Sequence, residues 1–113
     1  MTKKTWVWTQ ADLLALKLIK EVHARQMRII FDGVFNHIGV KSFAFKDVEK
    51  NQQASLYSDW FDISSWNDAT KGTTFKYRGW FGVKTLPEFK EDQNGIVAGP
   101  KQYIFNATKR WMN

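Results

Sequence analysis

The sequence predicts an α/β fold, and three observations carry that prediction. Residues 9 to 26 follow a helical pattern, and Met27 to Val34 follows as an unbroken apolar run. After Ile38 the chain changes to short aromatic pieces between polar links. Helix, short link and buried strand make half of a βαβ unit. At 113 residues the chain has the size of one domain. One strand cannot make a sheet, so the chain is expected to be part of a larger structure.

Each element has a local reason. Thr9 is the N-cap of the first helix, with Asp12 at the capping-box position three residues on. Ala11, Leu14, Ala15, Leu18, Ile19 and Val22 share one face at helical spacing. Leu13 and Leu16 lie on the far side, so cover on both flanks is expected. The helix should end near Arg25, leaving Gln26 where glycine is usual; a left-handed Gln26 would cost roughly 1 kcal/mol. In the strand, Ile29, Ile30 and Phe31 do not alternate with polar residues, as in a parallel strand covered on both faces. One or two short helices are expected between Phe43 and Phe61, and a short strand around Phe75 to Arg78. Gly99 and Pro100 open a last helix, with Pro at its first position and Ile104, Ala107 and Trp111 on one face.

Composition excludes several classes. Apolar residues make up 43%, enough for a core, and six Trp and nine Phe are too many for a disordered chain. There is no Cys, so disulfides and thiolate metal sites are excluded. No apolar run approaches the roughly 20 residues of a membrane span, and no apolar stretch follows the "MTKK" start to make a signal peptide. A net charge of +6 in an aromatic chain invites a nucleic-acid reading. However, the cations are spread from Lys3 and Lys4 to Lys109 and Arg110, many interleaved with acids. They read as scattered surface charge, and neither a nucleic-acid nor a membrane partner is expected.

The strand runs into Asp32, Asn36 and His37 in "RIIFDGVFNHIG", residues 28 to 39. Packing gives no reason to end an apolar strand with a carboxylate, an amide and an imidazole; delivery of polar groups to a site does. "DGVFNH" resembles the D-x-V-x-N-H signature at the end of the third barrel strand in the α-amylase family of glycoside hydrolases, family 13. The upstream "TWVWTQADLLALKLIKEVHARQMRII" resembles that family's second barrel helix leading into the strand. "LPEF", Leu86 to Phe89, resembles a segment of its inserted B domain. "GWFG" and "KQYIFNATKRWM" resemble the neopullulanase and cyclomaltodextrinase branch.

The resemblance implies part of a (β/α)₈ TIM barrel, whose chemistry sits at the C-terminal ends of the strands. Residues 1–37 would be a barrel portion, helix 2 then strand 3; 38–99 a B-domain-like insertion; and 100–113 barrel helix 3, truncated. The implied activity is hydrolysis of α-glucosidic bonds in starch-like glucans or maltodextrins. His37 would bind the sugar before the scissile linkage, the alternative being a histidine satisfied inside the fold. Asp32, as a buried structural aspartate, Asn36 and Glu88 would organise the site. No cofactor is implied. Calcium remains open for the parent enzyme, with Asn36 and Glu88 as two oxygen donors, although the neopullulanase branch usually has Lys at the Glu88 position and lacks that ion. Lys90 departs from the Asn or Asp that usually closes this segment.

Trp60, Trp66, Trp80 and Phe81 are assigned mostly to the insertion's own core, with stacking on sugar faces as the alternative. His23 reads as a surface or packing residue, and the sequon Asn106-Ala107-Thr108 as chance inside a helix. Retaining hydrolysis needs two carboxyls about 5 Å apart. The family carries them after the fourth and fifth strands, and no segment here resembles those. The eleven carboxylates of this chain therefore include no expected catalytic residue. The chain alone is expected to be inactive, and to self-associate through its unpaired strand. The rival expectations are an autonomous carbohydrate-binding module and a basic nucleic-acid-binding domain.

Overall fold

In the computed structural model, which describes residues 7–112, Thr9 caps helix α1 (Gln10–Ala24). The capping box is complete: Thr9 Oγ1 accepts the Asp12 N–H at 3.1 Å, and Asp12 Oδ2 accepts the Thr9 N–H at 2.8 Å. At the other end Gln26 is left-handed, with φ 59°. The Met27 N–H reaches Val22 O and the Gln26 N–H reaches His23 O, the paired bonds of a Schellman closure. Residues 1–6 and Asn113, assigned above to the barrel portion and the last helix, lie outside the described residues.

The described residues fall into two compact units, divided between Gly33 and Val34. In the first, Ala15, Ile19 and Val22 are half-buried, while Leu14 and Leu18 of the same face are exposed. Leu13 and Leu16 are exposed as well, so the expected cover on both flanks of α1 is not found. The strand expected over Met27 to Val34 is also not formed. A strand exists through hydrogen bonds to a neighbour, and among the described residues no segment pairs with this one. Met27, Ile30, Phe31 and Val34 stay exposed, Ile30 to 95%, while Ile29 is half-buried.

The second unit holds the remaining elements. Helix α2 (Phe43–Asn51) starts at Ser42, whose Oγ accepts the Phe45 N–H at 3.2 Å. It ends at Gln52, which takes a positive φ of 52° and is tied down by its own side chain. Its amide nitrogen donates to Glu49 O at 2.7 Å, and its amide oxygen accepts the Asn67 N–H at 3.1 Å. Two single turns of 3₁₀ helix follow, Gln52–Ala54 and Ser58–Trp60. Strands β1 (Ile63–Ser65) and β2 (Lys76–Tyr77) pair antiparallel, with an irregular register between Ile63 and Ser65. Strands β3 (Glu91–Asp92) and β4 (Gly95–Ile96) form a tight hairpin. Helix α3 runs Ala98–Met112, with Ile104, Ala107 and Trp111 half-buried on the expected face.

Pro100 is the third residue of α3 rather than its first. The first turn of a helix has N–H groups without intrahelical acceptors, so Pro fits there without losing a bond. Gly99 is required by packing: a Cβ there would stand 2.2 Å from the Trp60 indole nitrogen.

The core is aromatic. Ala44, Phe45 and Val48 of α2 are completely buried, and Phe61 and Phe89 nearly so. Phe45 meets Phe61 and Tyr77 edge to face, at centroid distances of 5.3 and 4.8 Å. Trp60, Trp66, Ile63 and Ile104 close around this cluster. Beside it the buried Ser55 hydroxyl donates to Asp47 Oδ1, and that bond holds the Asp47 carboxyl below its ordinary pKa.

Phe45→Ala is expected to destabilise the second unit by about 3–5 kcal/mol, the usual cost of emptying a buried phenylalanine site. Chemical denaturation followed by circular dichroism measures it.

Candidate functional site

The site is assembled around one short extended segment, Leu86 to Lys90. Its backbone bridges His37 through Glu88, Phe61 through Phe89, and Gly79 through Pro87. On one side the Ile38 N–H donates to Pro87 O at 3.2 Å and the Phe89 N–H to Asn36 O at 2.9 Å. On the other, the Glu88 N–H donates to Arg78 O at 2.9 Å, the Trp80 N–H to Leu86 O at 2.9 Å and the Lys90 N–H to Trp60 O at 2.8 Å. Pro87 has no N–H to offer and is used only as an acceptor, so it costs the ladder nothing.

Asn36, His37 and Glu88 therefore come together. The His37 ring is held from two directions. Nδ1 lies 2.9 Å from Asn36 Oδ1, and the ring stacks on Trp80 at a centroid distance of 5.1 Å and an interplanar angle of 22°. An amide oxygen only accepts, so Nδ1 is the donor in this contact, and Nε2 is the acceptor in the corresponding neutral tautomer. The Glu88 carboxylate, largely covered, receives Arg78 Nε at 2.9 Å. Asp62 lies on the same guanidinium at 3.9 Å.

Next to these groups is an open cleft of about 450 Å³, lined among others by Asn36, Arg78, Trp80, Phe81, Lys84 and Glu88. Its rim is the turn Gly79–Val83. The Gly82 N–H closes on Gly79 O at 2.8 Å and the Val83 N–H on Trp80 O at 3.0 Å. A Cβ at Gly79 would stand 2.0 Å from Val83 O, so only glycine fits this buried position. Lys84 braces the turn: its Nζ donates to Tyr77 O at 3.0 Å, and the Tyr77 hydroxyl donates to Lys84 O.

The four aromatic candidates divide. Trp60 and Trp66 pack on the core, whereas Trp80 is 39% and Phe81 86% exposed. Lys90 does not face this cleft; its Nζ is paired with Asp59 at 3.0 Å. Asp32 belongs to the first compact unit and is exposed in the unpaired stretch after α1, not buried as the resemblance implies, because no neighbouring strand covers that stretch among the described residues. Arg78 is the residue that sequence reasoning missed. It read as one more scattered cation, and its pairing with Asp62 and Glu88 depends on chain crossings that no local spacing reveals.

The oxygen donors do not fit calcium. The ion takes about six to eight oxygens. Here Glu88 is neutralised by a guanidinium that would repel the ion, and Asn36 Oδ1 is occupied by the His37 ring. Among the described residues no three His, Cys, Asp or Glu side chains are grouped as metal donors.

The comparisons with known proteins give the family. The family description "Alpha amylase, catalytic domain" matches residues 9–103, and the chain belongs to that family. Neopullulanase 2 of Thermoactinomyces vulgaris is 33% identical over 100 residues, covering 85% of this chain and 16% of that protein. A cyclomaltodextrinase of Geobacillus thermopakistaniensis is 48% identical over 95 residues, covering 84% and 15%. The debranching enzyme of Nostoc punctiforme superposes with a TM-score of 0.70 at 33% identity, covering 85% of this chain and 19% of its own. The chain thus spans less than a fifth of the length of these relatives.

Gly79→Ala is expected to displace the Gly79–Val83 turn and pull Trp80 off His37, because the added methyl meets backbone rather than a side chain that can swing away. Tryptophan emission should shift to the red, with a loss of about 2–4 kcal/mol in denaturant unfolding.

Proposed function

We propose that this chain supplies substrate-binding elements of an α-amylase-type glycoside hydrolase acting on α-glucosidic bonds of starch-like glucans or maltodextrins. The observation that carries the reading is the His37 ring, fixed by Asn36 and Trp80 beside the cleft. Its Nε2 is left to accept a sugar hydroxyl, and orienting the ring beforehand removes the entropy cost of doing so on binding. Membership of the α-amylase family supports the reaction class. The names of the relatives, a neopullulanase and a cyclomaltodextrinase, support an α-glucan substrate.

In this reading α1 is the second barrel helix, Met27 to Val34 the third barrel strand, residues 38–99 the inserted B domain and α3 the third barrel helix. Asn36 and Glu88 organise the site: Asn36 sets the tautomer of His37, and Glu88 ties the segment bearing His37 to the one bearing Arg78 and Trp80. Asp32 would take its place once neighbouring strands cover it. Four acidic side chains of the second unit are engaged structurally, Asp47 with Ser55, Asp59 with Lys90, and Asp62 and Glu88 with Arg78. The nucleophile and the acid/base would then come from other parts of a complete catalytic domain.

Two outcomes are expected. The 113-residue chain alone should release no reducing sugar from maltodextrin. In the complete catalytic domain carrying these residues, His37→Ala should lower kcat/KM about 10- to 100-fold, the worth of a hydrogen bond to the substrate. Hydrolysis by the isolated chain, or an unchanged kcat/KM in the variant, would overturn the reading. The exposed residues of Met27 to Val34 support self-association of the chain through pairing of this segment between copies. Light scattering should therefore show a mass that rises with concentration, and a constant monomer mass would refute it.

A further inference from the structure

Glu88 is the direct cross-strand neighbour of His37. The Ile38 N–H bonds Pro87 O and the Phe89 N–H bonds Asn36 O, which leaves His37 and Glu88 between them as a non-hydrogen-bonded antiparallel pair. In such a pair the Cα atoms lie about 4.5 Å apart and the two side chains leave the same face. A carboxylate in that place is a stronger acceptor for an imidazole N–H than the neutral amide oxygen of Asn36. The Nδ1 contact of the ring is nevertheless with Asn36 Oδ1, at 2.9 Å. Something therefore draws Glu88 away from the ring.

Arg78 is placed to do so. Its Nε donates to Glu88 Oε2 at 2.9 Å, and its Nη1 lies 3.9 Å from Asp62 Oδ2. The backbone closes a ring through the same three residues. The Glu88 N–H donates to Arg78 O at 2.9 Å, the Arg78 N–H to Asp62 O at 2.9 Å and the Asp62 N–H to Glu88 O at 3.4 Å. The guanidinium thus starts from a backbone already fixed against Glu88, so little further freedom is lost when the side chains pair. Lys84, the other cation lining the cleft, is turned to Tyr77, with Nζ 3.0 Å from its carbonyl oxygen and 5.3 Å from its ring centroid.

We propose that Arg78 is a positioning residue for His37: by holding Glu88, it keeps that carboxylate off the neighbouring imidazole, so that the ring stays on Asn36 with Nε2 free to accept from the substrate. The consequence for catalysis rests on the proposed function, since it takes His37 as a sugar contact. The Arg78 side chain is 70% exposed, so its ion pair adds little to folding stability. Its effect lies in where the carboxylate is held. Without Arg78, Glu88 would take a ring N–H and compete with both Asn36 and the sugar.

The ring nitrogens of His37 report this directly. In the ¹⁵N-labelled chain at mildly alkaline pH, long-range ¹H–¹⁵N spectra should show the Nδ1-protonated pattern, with a His23→Gln control to assign the two histidines. Arg78→Ala should shift His37 to an Nε2-protonated or doubly protonated pattern, while Arg78→Lys, which keeps a charge for Glu88, should not. Adding Glu88→Gln to Arg78→Ala should restore the original pattern, because the competing carboxylate is gone; a merely structural defect would not be repaired by a second substitution. In the complete catalytic domain, Arg78→Ala should lower kcat/KM about tenfold, the second substitution should recover most of it, and Arg78→Ala should add no loss where His37 is already Ala. An unchanged ring pattern in Arg78→Ala, no restoration by Glu88→Gln, or loss of the folded circular dichroism spectrum in Arg78→Ala would overturn the positioning role. The ring spectra involve no substrate, so their failure leaves the glycoside hydrolase reading in place. That reading falls instead if His37→Ala leaves hydrolysis by the complete domain unchanged.

Discussion

The second unit depends on the backbone hydrogen bonds of Leu86 to Lys90. Three stretches with little regular structure of their own, around Asn36–Ile38, Trp60–Asp62 and Arg78–Trp80, each bond to this segment, and the last two also join directly where the Arg78 N–H donates to Asp62 O at 2.9 Å. Backbone N–H and C=O groups must be paired wherever water is excluded. Here they are paired by a five-residue hub in place of an extended sheet. The strands elsewhere in the unit are only two or three residues long, so the hub does what a sheet would do in a larger fold.

Side chains follow from this arrangement. Phe89 points to the aromatic core and Glu88 to Arg78, alternating as neighbours on an extended chain must. One edge of the hub therefore builds the interior while the next residue organises the cleft. The aromatic share of the composition is divided in the same way. Phe45, Phe61 and Phe89 fill the core, Trp60 and Trp66 close it, and Trp80 and Phe81 remain at the rim. Backbone strain is spent unevenly. Gln26 and Gln52 accept positive φ where helices end and are held there by hydrogen bonds, whereas Phe81 accepts it in a turn with its ring in solvent.

The first unit shows what a strand requires. Its apolar run reads as a buried strand because nothing in Met27 to Val34 interrupts it, and the side chains have the composition of one. Pairing and cover come from other segments, however, and none is supplied among the described residues. The amphipathic face of α1 is likewise only half used. Both features fit a chain spanning less than a fifth of the length of its α-amylase relatives.

What the sequence determined by itself is local or motif-borne. The capping box at Thr9, the left-handed Gln26, the helix within Phe43–Phe61, the strand at Lys76–Tyr77 and the face of α3 each depend on residues within a few positions of one another. The family was legible because "DGVFNH" and "LPEF" are short strings with recognisable spacing. Only the tertiary structure decided that Asn36, His37 and Glu88 meet, that Arg78 joins them, and which tryptophans are core and which are rim. Those outcomes depend on contacts between residues far apart in the chain, made through backbone groups that carry no side-chain signature, and so no reading of composition or periodicity could have reached them.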